Sequence, residues 1–313
     1  MRPLRILTWH IHGSYLYYLT QSQHHFYLPV KPGRPEGYGG RAGSFSWSDN
    51  VYDVPASEVK NLEFDCILFQ SKRNYLEDQF EILSQSQQQL PRIYLEHDPP
   101  RENPTNTHHL VDDPNVLLVH VTHFNQLMWD SNRTPTCVIE HGVVVPEGIG
   151  YTGELEKGLV VVNGLRSRGR RLGTDIFAQV RQEIPLDLVG MGSEELDGLG
   201  DIPHYKLPAF ASRYRFFFNP IRYTSLGLAV CEAMMIGLPI IGLATTEMVT
   251  VVENGVSGYV DTDIEKLILR MHSLLNDQAQ AQKLSKGASE TALKRFNIQR
   301  FINDWDKTFK SVS

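Results

Sequence analysis

The residues of this chain best placed to do chemistry lie between Asn219 and Gly242. Leu226 to Ile236 reads as a helix of Leu, Ala, Val, Cys and Met carrying a single carboxylate, Glu232. Burying that charge without a partner would be costly, and a pair of ribose hydroxyls is one partner that would satisfy it. The loop before the helix runs Thr224-Ser225-Leu226-Gly227. A helix beginning there turns unpaired N–H groups and a positive dipole end outward, so Thr224, Ser225, Leu226, Gly227 and Leu228 form a phosphate-site candidate. A second cluster is His97 between Glu96 and Asp98, just past the strand Arg92–Glu96, where Pro99 and Pro100 stop regular structure. Such a histidine is well placed to line a cleft, or is held by one of its carboxylate neighbours. A third is His10 with His12, which alternate along the first strand and so point to one face. Two histidines in that arrangement also open the metal site of many amidohydrolase barrels. The chain lacks the recurrent His or Asp at other strand ends that such a barrel needs, so one core and one loop histidine is the simpler reading, and no metal is expected.

The elements that must position these groups alternate between strand and helix. Arg215–Asn219, the Glu232 helix and Leu238–Gly242 make a βαβ unit. In open α/β sheets the ligand crevice lies beyond the carboxyl ends of the strands. Leu4–Ile11, the turn at Gly13 and a helix from Tyr15 to Thr20 open the chain as a nucleotide-binding half-domain does. Strands follow at Phe64–Gln70, Arg92–Glu96, Val116–His120 and Thr136–Glu140, with helices at Asn74–Gln89 and Thr122–Trp129, the latter capped by Thr122. Residues 21–60 mix Gly33, Gly37, Gly39, Gly40 and Gly43 with prolines and aromatics, which suggests a long ordered loop or short hairpins. Lys31, Arg34 and Arg41 there read first as solvated charge and second as contacts for an anionic acceptor. Pro146–Gly153 reads as a linker. Beyond it, strands are expected at Gly158–Asn163, Leu186–Gly190 and His204–Leu207. Helices are expected at Thr174–Val180, Thr262–Leu275, Asp277–Phe296 and Ile298–Phe309.

At 313 residues the chain can bury two cores. A formal charge of −6 argues against a general nucleic-acid binder. Cys66, Cys137 and Cys231 lack paired spacing and read as reduced thiols of a cytoplasmic protein. The N-terminus runs into a strand instead of a signal peptide, and no apolar run reaches the length of a membrane span, which leaves peripheral membrane contact open.

The stretch from Tyr214 to Val260 resembles the nucleotide-sugar-binding segment of retaining GT-B glycosyltransferases of the group 1 type (family 4). That group includes phosphatidylinositol mannosyltransferases and sucrose and glycogen synthases. Glu232-Ala233, Gly237-Leu-Pro239 and Asn254-Gly255-Val-Ser-Gly258 match its pattern in order and spacing. Thr224 stands where the pattern has its first Glu, and Ser225-Leu226-Gly227 replaces Gly-aromatic-Gly. Thr224 can still hydrogen-bond, but without a carboxylate's bidentate acceptance. The resemblance implies an α/β GT-B fold: two Rossmann-like domains facing across a cleft, with a C-terminal helix returning to the first. The implied boundaries are 1–154 for an acceptor-side domain, 155–295 for the donor domain and 296–313 for the returning helix, with Phe301, Trp305 and Phe309 as its docking face.

The same resemblance implies transfer of a sugar from a nucleoside-diphosphate sugar to a hydroxyl of a glycan or glycolipid, with retention and without metal or other cofactor. Glu232 would hold the ribose, and Thr224 and His97 would meet the sugar. The loop Gly164–Gly173, with Arg166, Arg168, Arg170 and Arg171, would meet the diphosphate, because guanidinium forks neutralise and hydrogen-bond phosphate oxygens. Arg166 and Arg171 are the first choices and Arg222 a further one. Gly13, Asn163 and Gly190 complete the implied donor set, Gly190 bordering the base. A GT-B-like epimerase or phosphorylase, or a non-catalytic sugar-nucleotide-binding protein, would use the same architecture.

Overall fold

The structure, a computed structural model, describes residues 2–313. The chain divides into two compact units, one built from residues up to His141 together with Ile298–Ser313, the other from Gly142–Asn297. Among the described residues no helix is long and apolar enough to cross a membrane.

In the first unit seven parallel strands form one sheet: β1 (Arg5–Thr8), β2 (His25–Val30), β3 (Val51–Pro55), β4 (Cys66–Phe69), β5 (Arg92–Glu96), β6 (Val116–His120) and β7 (Thr136–Val138). Their order is β3-β2-β1-β4-β5-β6-β7. A parallel sheet is covered on both faces, and Cys66-Ile-Leu-Phe69 is accordingly apolar and buried throughout. The chain leaves β1 on one side of the sheet and resumes at β4 on the other, so the direction of winding reverses between these two strands.

Two expectations for this unit are corrected. Residues 21–60 supply two sheet strands, and the loop expected there is confined to residues 31–50 between them. Pro29 sits inside β2, which pairs on both edges, and a proline there hides a strand from sequence patterning. The helix expected over Asn74–Gln89 is broken into a π-turn at Asn74–Asp78, one α-turn at Gln79–Ile82 and a 3₁₀ turn at Gln87–Gln89. Polar side chains compete with the helix here: the Gln87 amide donates to Val59 O and Leu62 O at 2.9 and 2.7 Å. The last helix, Ile298–Val312, does return to this unit. Phe301, Trp305 and Phe309 form a fully buried stripe at four-residue spacing, and Trp305 Nε1 donates to the Tyr15 hydroxyl at 3.0 Å.

In the second unit β8 (Leu155–Val161), β9 (Leu186–Val189), β10 (Tyr214–Asn219), β11 (Ile240–Leu243) and β12 (Gly258–Asp261) form a parallel sheet in the order β12-β11-β10-β8-β9. Its core includes Val160, Phe177, Leu188, Phe216, Phe218 and Met271. Winding reverses between β8 and β10. Residues 142–154, expected to close the first domain, belong to this unit. Val143 donates its N–H to Phe296 O, Tyr151 to Ile236 O and Thr152 to Ser212 O, so backbone bonds tie the segment down where linker composition suggested freedom. The strand expected at His204–Leu207 is a turn, closed by Lys206 N–H on Pro203 O at 2.8 Å, followed by the helix Leu207–Ala211. Pro208 in its first turn favours that outcome.

Candidate functional site

The reversal between β8 and β10 opens a crevice at their carboxyl ends, where such sheets bind ligands. The loop after β8 carries the arginines and the loop after β10 leads into the helix Leu228–Ile236. Gly173, at φ 84°, lets the two loops meet: a Cβ there would overlap the Pro220 carbonyl oxygen. The Arg171 carbonyl accepts from Arg222 N–H and Tyr223 N–H at 3.0 and 3.2 Å. Arg222 grips Asp175 with both terminal nitrogens at 2.6 and 2.7 Å and donates to Arg170 O at 2.7 Å. Asp175 also takes Arg170 Nη1, and the Arg222 hydrogen bonds lead in pulling its carboxyl down to about 2. The charge of Arg222 is therefore already compensated, making it a strut between the loops. Arg166 donates to Glu195 O at 3.1 Å. Asn163 joins this loop to the next, its Oδ1 accepting Met191 N–H at 2.9 Å, and Gly190 packs where a Cβ would meet Val162 O at 2.7 Å.

The helix Leu228–Ile236 begins at Gly227, which has no side chain to cap the first N–H groups. Thr224 is partly exposed before it, while Ser225 and Leu226 are buried. A turn into the helix, Glu232 Oε1 lies 3.2 Å from His204 Nε2. The carboxylate expected to wait for a ligand thus has a protein partner, supplied from 28 residues away and invisible in sequence spacing. Thr246, after β11, stands at φ 52° and donates to Ser225 O at 3.3 Å. A β-branched residue in the left-handed region is a mark of backbone strain.

In the first unit, His97 Nε2 lies 3.2 Å from Gln70 Oε1. Neither flanking carboxylate holds the ring. Glu96 instead receives Asp98 N–H at 2.9 Å on one oxygen and contacts His109 Nε2 at 3.1 Å on the other, which shapes the loop. The His12 and Tyr15 rings pack on His97 at 4.0 and 4.9 Å. Burial first, then the nearby His12 and His141, keep the His97 pKa well below the usual histidine value, so the ring is neutral at pH 7. His10 does not join it: its Nδ1 meets Gly40 O at 2.6 Å. Among the described residues no group of three or more His, Cys, Asp or Glu is arranged to hold a metal. Gly13 opens the short helix Gly13–Leu19 beside Phe45. Lys31 pairs with Glu81 at 2.7 Å, and Arg34 and Arg41 lie 3.6 and 3.7 Å from Asp53.

The geometry of the second unit agrees with a comparison against protein families: residues 156–277 match the family described as glycosyl transferases group 1. Residues 156–277 thus carry the group 1 glycosyltransferase domain. The family match covers most of the unit that holds Glu232, Arg171 and the helix Leu228–Ile236. Solved structures extend the likeness in fold to the whole of this chain. Sucrose-phosphate synthase from Thermosynechococcus elongatus matches with TM-score 0.70 at 14% identity, over 99% of each chain. A glycosyltransferase from Rickettsia africae matches with TM-score 0.67 at 10% identity, over 100% of this chain and 99% of its own. Anabaena HepE matches with TM-score 0.67 at 14% identity, over 99% of this chain and all of its own. The fold is therefore GT-B, α/β with two parallel sheets. No curated protein matches the sequence.

Asp175, His204, Gln70 and Thr246 contact candidate residues of the two loops and the helix, and nothing in the sequence pointed to those contacts. Each acts through a partner distant in sequence, and only the αL backbone of Thr246 belongs to a class, the post-strand loop, that sequence pattern marks at all.

Proposed function

We propose that this glycosyltransferase moves a sugar from a nucleoside-diphosphate sugar to an acceptor hydroxyl, with retention, in the synthesis of a glycan or glycolipid in the cytoplasm. The observation that carries the proposal is the meeting, at the carboxyl ends of β8 and β10, of an arginine loop and an uncapped helix start, with a carboxylate one turn further on. The first two suit a diphosphate and the third a ribose. HepE has been solved in complex with UDP and glucose, and a pneumococcal O-GlcNAc transferase in complex with UDP and GlcNAc, which makes UDP-sugars the first donors to try.

In the proposed reaction the bond from the anomeric carbon to the diphosphate breaks with its electron pair going to the phosphate oxygen. The acceptor oxygen bonds that carbon, and its proton passes to the departing diphosphate. Arg166, Arg171 and the helix N-terminus stabilise the charge more as it develops, the condition for lowering the barrier. Fixed cations supply what a divalent metal supplies elsewhere, so the proposal includes no metal. Thr224 and His97 are assigned to the sugar, and Asn163 and Gly190 shape the base side.

The test is a thermal-shift screen against UDP, GDP, ADP, dTDP and their sugars, with and without EDTA, followed by an assay for released diphosphate. One nucleotide should raise the melting temperature without metal, and Glu232→Ala should weaken its binding roughly 10- to 100-fold, the value of hydrogen bonds to a charged group. Binding without release of diphosphate, with a range of glycan acceptors supplied, would instead establish a non-catalytic sugar-nucleotide-binding protein.

A further inference from the structure

We infer that Gln70 is a positioning residue that fixes the tautomer of His97, placing the proton on Nε2 and leaving the Nδ1 lone pair as the ring's acceptor. Gln70 follows β4 directly, at the point where the winding of the first sheet reverses, and its side chain is buried. Its amide nitrogen donates to Thr8 Oγ1 and to the Trp9 carbonyl, both at 2.9 Å. A backbone carbonyl only accepts, so the group facing Trp9 O is the NH₂, and the orientation of the amide follows. Both N–H bonds of that NH₂ are then engaged, and Oε1 is the atom that faces His97 Nε2 at 3.2 Å. An amide oxygen also only accepts. The imidazole nitrogen opposite it must carry the proton, and a neutral imidazole has one N–H, which leaves Nδ1 unprotonated. The neutrality of this ring follows from its burial beside His12 and His141.

The chain of bonds from Trp9 O through Gln70 to His97 links the ends of β1 and β4 to the loop after β5. It therefore sets the ring's orientation as well as its proton. In the glycosyltransferase reading above, on which only this last consequence rests, Nδ1 is the atom that accepts from a sugar hydroxyl.

The experiment is nitrogen-15 NMR on the full chain labelled at histidine, with His97 assigned by its loss in His97→Gln. The expected spectrum shows a protonated Nε2 and a pyridine-type Nδ1 for His97 at about pH 7.5, well above the ordinary histidine pKa. A protonated Nδ1 in the wild type overturns the inference. Gln70→Met, close in size but without the acceptor, should give a mixture of tautomers, and an unchanged His97 signal there also overturns it. Gln70→Glu retains an acceptor and should retain the Nε2–H form. If the protein proves to transfer sugar, Gln70→Met should lower kcat roughly tenfold or more, as loss of an orienting partner does, with nucleotide affinity unchanged. Because the tautomer is read without turnover, failure of the glycosyltransferase reading and failure of this inference give different results.

Discussion

The crevices at the two points of reversed winding, β1/β4 in the first unit and β8/β10 in the second, share a topology and differ in electrostatics. In the second unit the loops are joined through charge: Arg222 and Arg170 on Asp175, with Arg166 and Arg171 in the same loop. In the first they are joined through neutral groups: Gln70 on Thr8, Trp9 and a His97 kept uncharged by burial. Parallel sheets make a crevice wherever winding reverses, but side chains decide what enters it. A charged frame rich in arginine suits an anion such as a diphosphate. A neutral network of donors and acceptors suits hydroxyls.

Pushing the charged frame apart should have the largest effect. Gly173→Ala combines an αL backbone with overlap of the Pro220 carbonyl, and should lose roughly 3 kcal/mol or more in urea unfolding followed by signals of the second unit. A Gly173→Ala protein of wild-type stability would show that the two loops do not need their close approach.

Acid should separate the units next. His97 is held neutral and His120, fully buried in β6, titrates at about 3 in the folded protein instead of 6.5. For a base whose folded pKa is lowered, the unfolded chain binds more protons below about 6.5, so stability is full above that pH and falls as the solution is acidified. The expected loss in the first unit by about pH 5 is about 2 kcal/mol from His120, with His97 acting in the same direction. Asp175 works in a lower window: its folded pKa of about 2 lies below the unfolded value of 3.8, so its contribution is present above 3.8 and lost as pH falls towards 2. Hydrogen exchange read unit by unit at about pH 7.5 and about pH 5 should therefore show the first unit loosening and the second unchanged from this source. His120→Leu should remove part of the effect.

Asp175→Asn tests the strut at neutral pH. The carboxylate is more than a third exposed, and solvent screening limits the loss to about 1 kcal/mol. Nucleotide affinity should rise slightly, because Arg222 and Arg170 are released towards an anion. The smallest change is at Thr246: Gly at φ 52° relieves strain while losing one long hydrogen bond to Ser225 O, for a net gain of roughly 0.5 kcal/mol in the melting curve.

Much of the second unit was legible because buried parallel strands are runs of apolar residues and the helix carrying Glu232 is bounded by glycines. Tyr214–Asn219, Thr174–Val180 and Leu228–Ile236 lie within a residue or two of their expected places. The first unit was harder to read. Pro29 obscured β2, and glutamine side chains bonded to backbone broke the helix expected after β4. The stripe Phe301, Trp305, Phe309 could be read because its spacing alone makes one face of a helix.

Sequence alone determined which residue types were available: four arginines in one loop, one carboxylate in an apolar helix, a histidine past a strand end. Local patterning suffices for that, since strand, helix and turn are set largely by neighbours in the chain. Tertiary structure decided their state. It placed His204 on Glu232, Asp175 on Arg222 and Gln70 on His97, across 28, 47 and 27 residues. A proton's position or a charge's availability depends on whichever group lies within about 3 Å, and only the folded sheet brings such groups together.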